Sequence, residues 1–291
     1  EGQQAVSTRV ANILSLTTVA DMRNVLFGQQ EEYSDIFMTK LFEEACQHRN
    51  IVLLELLLTD QRILLNTTRS VIPPGTWSVH TTLQRCCPTF STNLDVLQIL
   101  LKDGRIDPNL ASSDERYQPL AESAMQECVE AVKILLADPR IDPIGDVDNY
   151  KSFNILLHAC EKNQLDLLRV ALQDGRIPPR AQEATAFDYS LAPENPNEEI
   201  IHMLLDDNRL DPSKDTELSE ASFFLYCCFA DVPSVIRRLL ADPRIDPCKL
   251  NSESSNAFHF AMANNRWENI RALIEDGRLD PNPGDKTECE I

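Results

Sequence analysis

The side chains that could carry acid–base, nucleophilic or metal chemistry here are five histidines, nine cysteines and a recurring arginine. A cysteine nucleophile needs a base within hydrogen-bond reach. Cys128 or Cys160 with a distant histidine is the candidate dyad. Yet His48, His80, His158, His202 and His259 stand in no neighbourhood typical of a nucleophile, metal or phosphate site. Structural zinc asks for C-x-x-C or paired histidines at ligand spacing, and neither pattern occurs. No catalytic residue, metal or cofactor is expected, and the chain reads as a non-enzyme. The arginines are Arg105, Arg140, Arg176, Arg209, Arg244 and Arg278, with Arg62 opening a degenerate copy. An anion-binding stripe needs unpaired arginines, but these are flanked by aspartates. Each arginine is therefore expected to bridge the aspartates of its own corner and the next.

The elements that place these residues repeat. LLADPRIDP stands at 135–143 and again at 239–247, and the arginine series sets a period of about 34 residues. Counting back from each arginine, Leu57, Leu100, Leu135, Ala171, Leu204, Leu239 and Leu273 recur five before it. Leu54, Leu97, Val132, Leu168, Ile201, Ile236 and Ile270 recur eight before it, one face of a helix B. Its N-caps are read at Thr92, Asn163, Asp231 and Asn265, and in one copy at Asn195 with Pro196 following. Further upstream, a large apolar residue (Phe42, Leu120, Leu156, Tyr189, Phe224, Phe258) precedes a small one by three positions (Ala45, Ser123, Ala159, Ala192, Cys227, Ala261). That spacing predicts a packed helix A. The corner after helix B reads as a type I turn with Asp first and Pro, Gly or Asn second. The Ile or Leu after the arginine tucks under the helices, and Asp-Pro forces an extended exit.

The expectation is an all-α solenoid of stacked helix–turn–helix units. Residues 1–34 form an N-terminal capping repeat, 35–283 an array of about seven units, and 284–291 a polar tail. Paired helices at this period, with QPLAES at 118–123 and NAFHFA at 256–261, resemble the ankyrin repeat. The second stretch keeps the family's histidine as His259. The Gly-Ala-Asp-Val-Asn that follows helix B in that family is replaced by Asp-x-Arg-Ile-Asp-Pro, and the Gly-x-Thr-Pro turn of its β-hairpin finger is mostly missing. A generic helical-hairpin solenoid is the alternative. The resemblance implies a protein-interaction scaffold whose helix A side lines a concave groove rimmed by the connectors.

Composition narrows the partner. Forty-six acidic against 27 basic residues give a net charge of −19. That surface repels nucleic acid and anionic lipid and suits a basic protein segment; the plainer reading is that acidity only keeps a long array soluble. No apolar run approaches the roughly 20 residues of a membrane span, and no signal-peptide core is seen. The chain opens on Glu1 without an initiator Met and reads as a fragment. Cys46, Cys160 and Cys228 fall on the core side of helix A, so the cysteines are read as reduced structural thiols of a cytoplasmic or nuclear protein.

Partner-binding candidates come from the register that varies, eighteen before the arginine: Glu44, Cys87, Glu122, His158, Leu191, Tyr226 and Phe260. Tyr226 and Phe260 are either hot spots or packing between repeats. Tyr117 and Tyr150 lie in connectors. Trp77, in the long connector TTRSVIPPGTWSVHTT, either plugs back onto the stack or anchors a partner. The resulting set is Trp77, Tyr117, Glu122, Tyr150, His158, Tyr226 and Phe260. The alternative function is an adaptor or host-directed effector whose catalytic or ligase-recruiting domain lies outside this sequence.

Overall fold

The computed structural model describes residues 2–28, 33–61, 63, 65, 83, 93–110, 118–144, 153–181, 184–191, 196–213, 222–251 and 255–279. By internal packing the chain falls into two units, residues 1–153 and 154–291. The first holds α1 (Gly2–Leu14), α2 (Val19–Phe27), α3 (Asp35–Gln47), α4 (Ile51–Leu58), α5 (Leu94–Lys102), α6 (Pro119–Met125) and α7 (Val129–Leu136). The second opens with α8 (Ile155–Glu161) and α9 (Leu165–Asp174). A two-residue antiparallel pair follows, β1 (Arg180–Ala181) and β2 (Ala184–Thr185), and leads into α10 (Ala186–Ser190). Then come α11 (Glu198–Asp206), α12 (Phe223–Phe229), α13 (Pro233–Leu240), α14 (Ala257–Ala263) and α15 (Trp267–Asp276).

Within each unit, helix A packs on helix A and helix B on helix B. In the first unit α1 lies on α3, α2 on α4 and α5 on α7. In the second, α8 lies on α10, α12 on α14, and α9, α11, α13 and α15 form an unbroken row. This neighbour-on-neighbour stacking is the all-α repeat solenoid that the periodicity predicts. Its core is the one read from the spacing. The residue five before each arginine, from Leu57 to Leu273, is buried in all seven copies, and so is the residue eight before, from Leu54 to Ile270. Full burial of such a side chain stabilises by about 1.5–3 kcal/mol. The residue after the arginine is buried in every copy as well: Ile63, Ile106, Ile141, Ile177, Leu210, Ile245 and Leu279.

Helix A starts on a side-chain cap in most described copies. Ser34, Asn154 and Ser222 each accept a backbone N–H of the first turn, and Thr185–Asp188 and Asn256–His259 form reciprocal capping boxes. The helix A to helix B turn corrects the cap assignment. Helix B is capped one residue later than expected, at Asn93, Gln164, Val232 and Arg266, and at Asn197 rather than Asn195 in the copy ending at Arg209. Asn163 and Asn265 are instead left-handed, like Arg49 and Glu127, with φ between 53° and 57°. The residue after each donates its N–H back to the small residue of helix A: Asn50 to Ala45, Cys128 to Ser123, Gln164 to Ala159 and Arg266 to Ala261. This is a Schellman closure. Asparagine suits that position because it tolerates the left-handed conformation, not because it caps the next helix. Helix α12 lacks this closure, and Asn269 of the following repeat donates to the carbonyls of Cys227, Cys228 and Ala230 that it leaves open.

The corners come in two forms. At Asp103, Asp138, Asp207 and Asp242 the aspartate carbonyl accepts the N–H three residues on, the turn expected. At Gly175 and Gly277 the chain is left-handed instead, φ 72° and 76°, and helix B continues through Asp174 and Asp276. A proline in the glycine's place disfavours helical backbone at the aspartate, so the Pro139 and Pro243 copies end their helices at Leu136 and Leu240. The exit also differs from the extended expectation. Asp107, Asp142, Asp211 and Asp246 each accept the N–H two residues on, folding the Asp-Pro step into a second turn.

Candidate functional site

The corner arginine is the most heavily bonded polar group of the repeat. Arg140 donates through Nε and Nη2 to Asp138 at 3.0 and 2.7 Å, and its own N–H caps the same carboxylate. Arg105, Arg176, Arg209, Arg244 and Arg278 hold the aspartate two residues before them in the same way. The expected bridge to a neighbouring corner's aspartate is present at Arg244, whose guanidinium lies 3.8 Å from Asp211. In four other copies the remaining donors reach backbone carbonyls of the preceding repeat, which the sequence did not foretell: Arg105 those of Leu58 and Asp60, Arg140 those of Leu101 and Ile106, Arg209 those of Gly175 and Ile177, Arg278 that of Leu240. A guanidinium has five donors in a planar fork, enough for a carboxylate and two carbonyls together. The arginine bond holds the carboxyls of Asp103, Asp138, Asp242 and Asp276 below the usual range. At Asp207 burial, the largest single influence, pushes upward, and the bonds from Arg209 still leave the group lowered. The arginines are latches between repeats.

The thiols are core groups. Cys46, Cys128, Cys160, Cys227 and Cys228 are free and buried. Burial pushes Cys160 up to about 12 and raises Cys227 and Cys228 as well, so thiolate, the nucleophilic form, is scarce there at neutral pH. Cys248 corrects the reading of the cysteines as uniformly reduced: it is disulfide-bonded. The histidine–hydroxyl contact between His202 Nε2 and Ser234 Oγ, at 2.8 Å, runs the wrong way for nucleophile activation. Ser234 Oγ donates to Glu198, and Arg238 lies 3.4 Å from His202 Nδ1. Glu198 also accepts the N–H groups of Ser234 and Val235. It thereby caps α13, whose own cap residue, Val232, has no side-chain acceptor. Among the described residues no group of three or more His, Cys, Asp or Glu side chains could hold a metal ion.

The varying register of helix A carries a row of side chains most of which keep contact with solvent. Glu44, Glu122, His158, Tyr226 and Phe260 are each half-buried, while Leu191 is buried. The copy ending at Arg209 is shifted by two residues. Phe187, not Tyr189, fills the large core slot, stacked on Phe223 with ring centroids 4.0 Å apart, and Ser190 takes the small slot. Tyr189 therefore occupies the varying register and is half-buried there. The sequence signal for this shift was the Thr185–Asp188 pair, which fixes the start of α10 three residues before Asp188. In the second unit the row becomes His158, Tyr189, Tyr226 and Phe260, with Phe229, 44% exposed, stacked on Tyr226 at 6.0 Å. In the first it reads Glu44 and Glu122. Trp77, Tyr117 and Tyr150 lie outside the described residues.

Against known proteins, no family model and no curated sequence matches the chain. Among solved structures it is similar to EF0377, an ankyrin repeat protein, at 17% identity and TM-score 0.45, covering 80% of this chain and 96% of that one. It is also similar to an ankyrin repeat domain from Acinetobacter baumannii, at 12% identity and TM-score 0.41, covering 81% and 97%. Among the described residues no helix is long and apolar enough to cross a membrane.

Proposed function

We propose that this protein is a non-enzymatic interaction scaffold that holds a partner protein on its helix A and connector face. The observation that carries the reading is the varying helix A register. Core, corner and latch residues are near-constant from repeat to repeat, whereas this slot changes through Glu44, Glu122, His158, Tyr189, Tyr226 and Phe260 and stays in contact with solvent. A position left in contact with solvent is where recognition can vary at little cost to the stack. Of the residues marked in the sequence, Glu122 stands in this register in the first unit and His158, Tyr226 and Phe260 in the second, while Trp77, Tyr117 and Tyr150 lie outside the described residues. The net charge of −19 favours a basic, partly apolar partner segment.

The test places a photo-crosslinking amino acid at Tyr226, or at the exposed Arg271 of helix B as control. Cross-links to a basic partner from position 226 alone support the reading; cross-links from position 271 alone refute it. Raising salt from about 50 to 500 mM should slow association, because the Debye length shrinks to a few Å.

A further inference from the structure

We propose that the second unit binds its partner as an extended polyproline-II segment bearing an arginine at every third residue, each guanidinium lying over one ring of the helix A row. This rests on the scaffold reading above and adds the partner's conformation and spacing. The row is continuous. Helix α8 packs on α10 and α12 on α14, and the Phe187–Phe223 stack joins α10 to α12. One half-buried ring stands at the same position of each helix: His158, Tyr189, Tyr226 and Phe260.

The spacing selects the ligand's backbone. Packed helices lie about 8–10 Å apart, so the rings recur at about that interval. A β-strand covers the distance in about three residues, but its side chains alternate faces, so the first and fourth point opposite ways. A polyproline-II helix has three residues per turn and rises about 3.1 Å per residue, which returns every third side chain to one face after about 9 Å. That period matches one helix A per turn. Such a segment is also preformed, so little ordering entropy opposes binding.

Charge selects the side chain. Residues 154–291 contain 25 acidic against 14 basic residues. The corner arginines Arg176, Arg209, Arg244 and Arg278 each offset the charge of their own aspartate, so the acidic excess comes from the other carboxylates. A cation is drawn to this surface, and the group that also stacks flat on an aromatic ring is guanidinium rather than ammonium.

The experiment uses the whole chain and three labelled synthetic peptides, read by fluorescence anisotropy. One repeats Pro-Pro-Arg, one has the same composition with its arginines adjacent, and one repeats Pro-Pro-Lys. The periodic arginine peptide should bind tightest. Tyr189→Ala and Tyr226→Ala should each weaken it about three- to ten-fold, leave the clustered peptide unchanged, and retain the parent helical circular dichroism. Tyr226→Phe, which keeps the ring, should bind like the parent. If clustered and periodic peptides bind alike and both alanine variants are silent, this proposal fails while the basic-segment scaffold stands. If no basic peptide binds, both fall.

Discussion

The two LLADPRIDP stretches allow a test of the arginine latch in which the local sequence cancels. Arg140 bonds Asp138 and also donates to the carbonyls of Leu101 at 2.6 Å and Ile106 at 2.9 Å. Arg244 bonds Asp242 equally well, at 2.7 Å, but among the described residues its reach into the preceding repeat is to Asp211, 3.8 Å away. Side-chain exposure follows, 34% for Arg140 and 51% for Arg244. Arg140→Met and Arg244→Met both remove a guanidinium and both strand an aspartate. The difference between them isolates the two carbonyl bonds. Hydrogen bonds involving a charged group contribute about 1.5–3 kcal/mol each, and partial exposure discounts that to about 1 kcal/mol apiece here. Arg140→Met should therefore cost about 2 kcal/mol more than Arg244→Met. Urea unfolding followed by far-ultraviolet circular dichroism reads the difference as a midpoint shift at constant slope. Equal costs, within about 0.5 kcal/mol, would show that the carbonyl bonds carry no net stability.

Three further outcomes follow from the same geometry. Because Arg140 lowers the folded-state pKa of Asp138, its stabilisation is present above the unfolded value near 3.9 and is lost as pH falls through the folded one. Acid titration should find the gap between wild type and Arg140→Met narrowing below about pH 4 toward the part carried by the two carbonyl bonds, which do not titrate. Gly175→Ala and Gly277→Ala, at φ 72° and 76° with open space around the new methyl, should each cost about 1–2 kcal/mol of pure backbone strain. Gly104→Ala, at negative φ with nothing nearby, should be neutral or stabilising by up to about 1 kcal/mol; a large loss there would contradict the two-form corner. Cys160 and Cys228 should resist iodoacetamide in the native protein at pH 8 and react once urea is added, as peptide mapping would show. Native alkylation at either site would place it outside the core.

What the sequence determined by itself is whatever depends on period. Apolar side chains five and eight before each arginine, and one after it, are buried in every copy because a helix turns every 3.6 residues regardless of its neighbours. The varying register of helix A was legible on the same ground, with Glu122, His158, Tyr226 and Phe260 on it. Counting from the arginine failed where the chain between helices changes length: Phe187 took the core slot expected of Tyr189, and Tyr189 the varying register expected of Leu191, because the start of α10 is fixed by Thr185 and Asp188, upstream of the count. It failed also where two conformations share a residue type. Asn163 and Asn265 are as good at ending a helix left-handed as at capping the next one, and only the backbone shows which is in use. Tertiary structure alone decided the reach of the arginines. Arg140 and Arg244 sit in identical sequence and differ in their bonds because the carbonyls they meet belong to another repeat, about one period away and outside any local pattern.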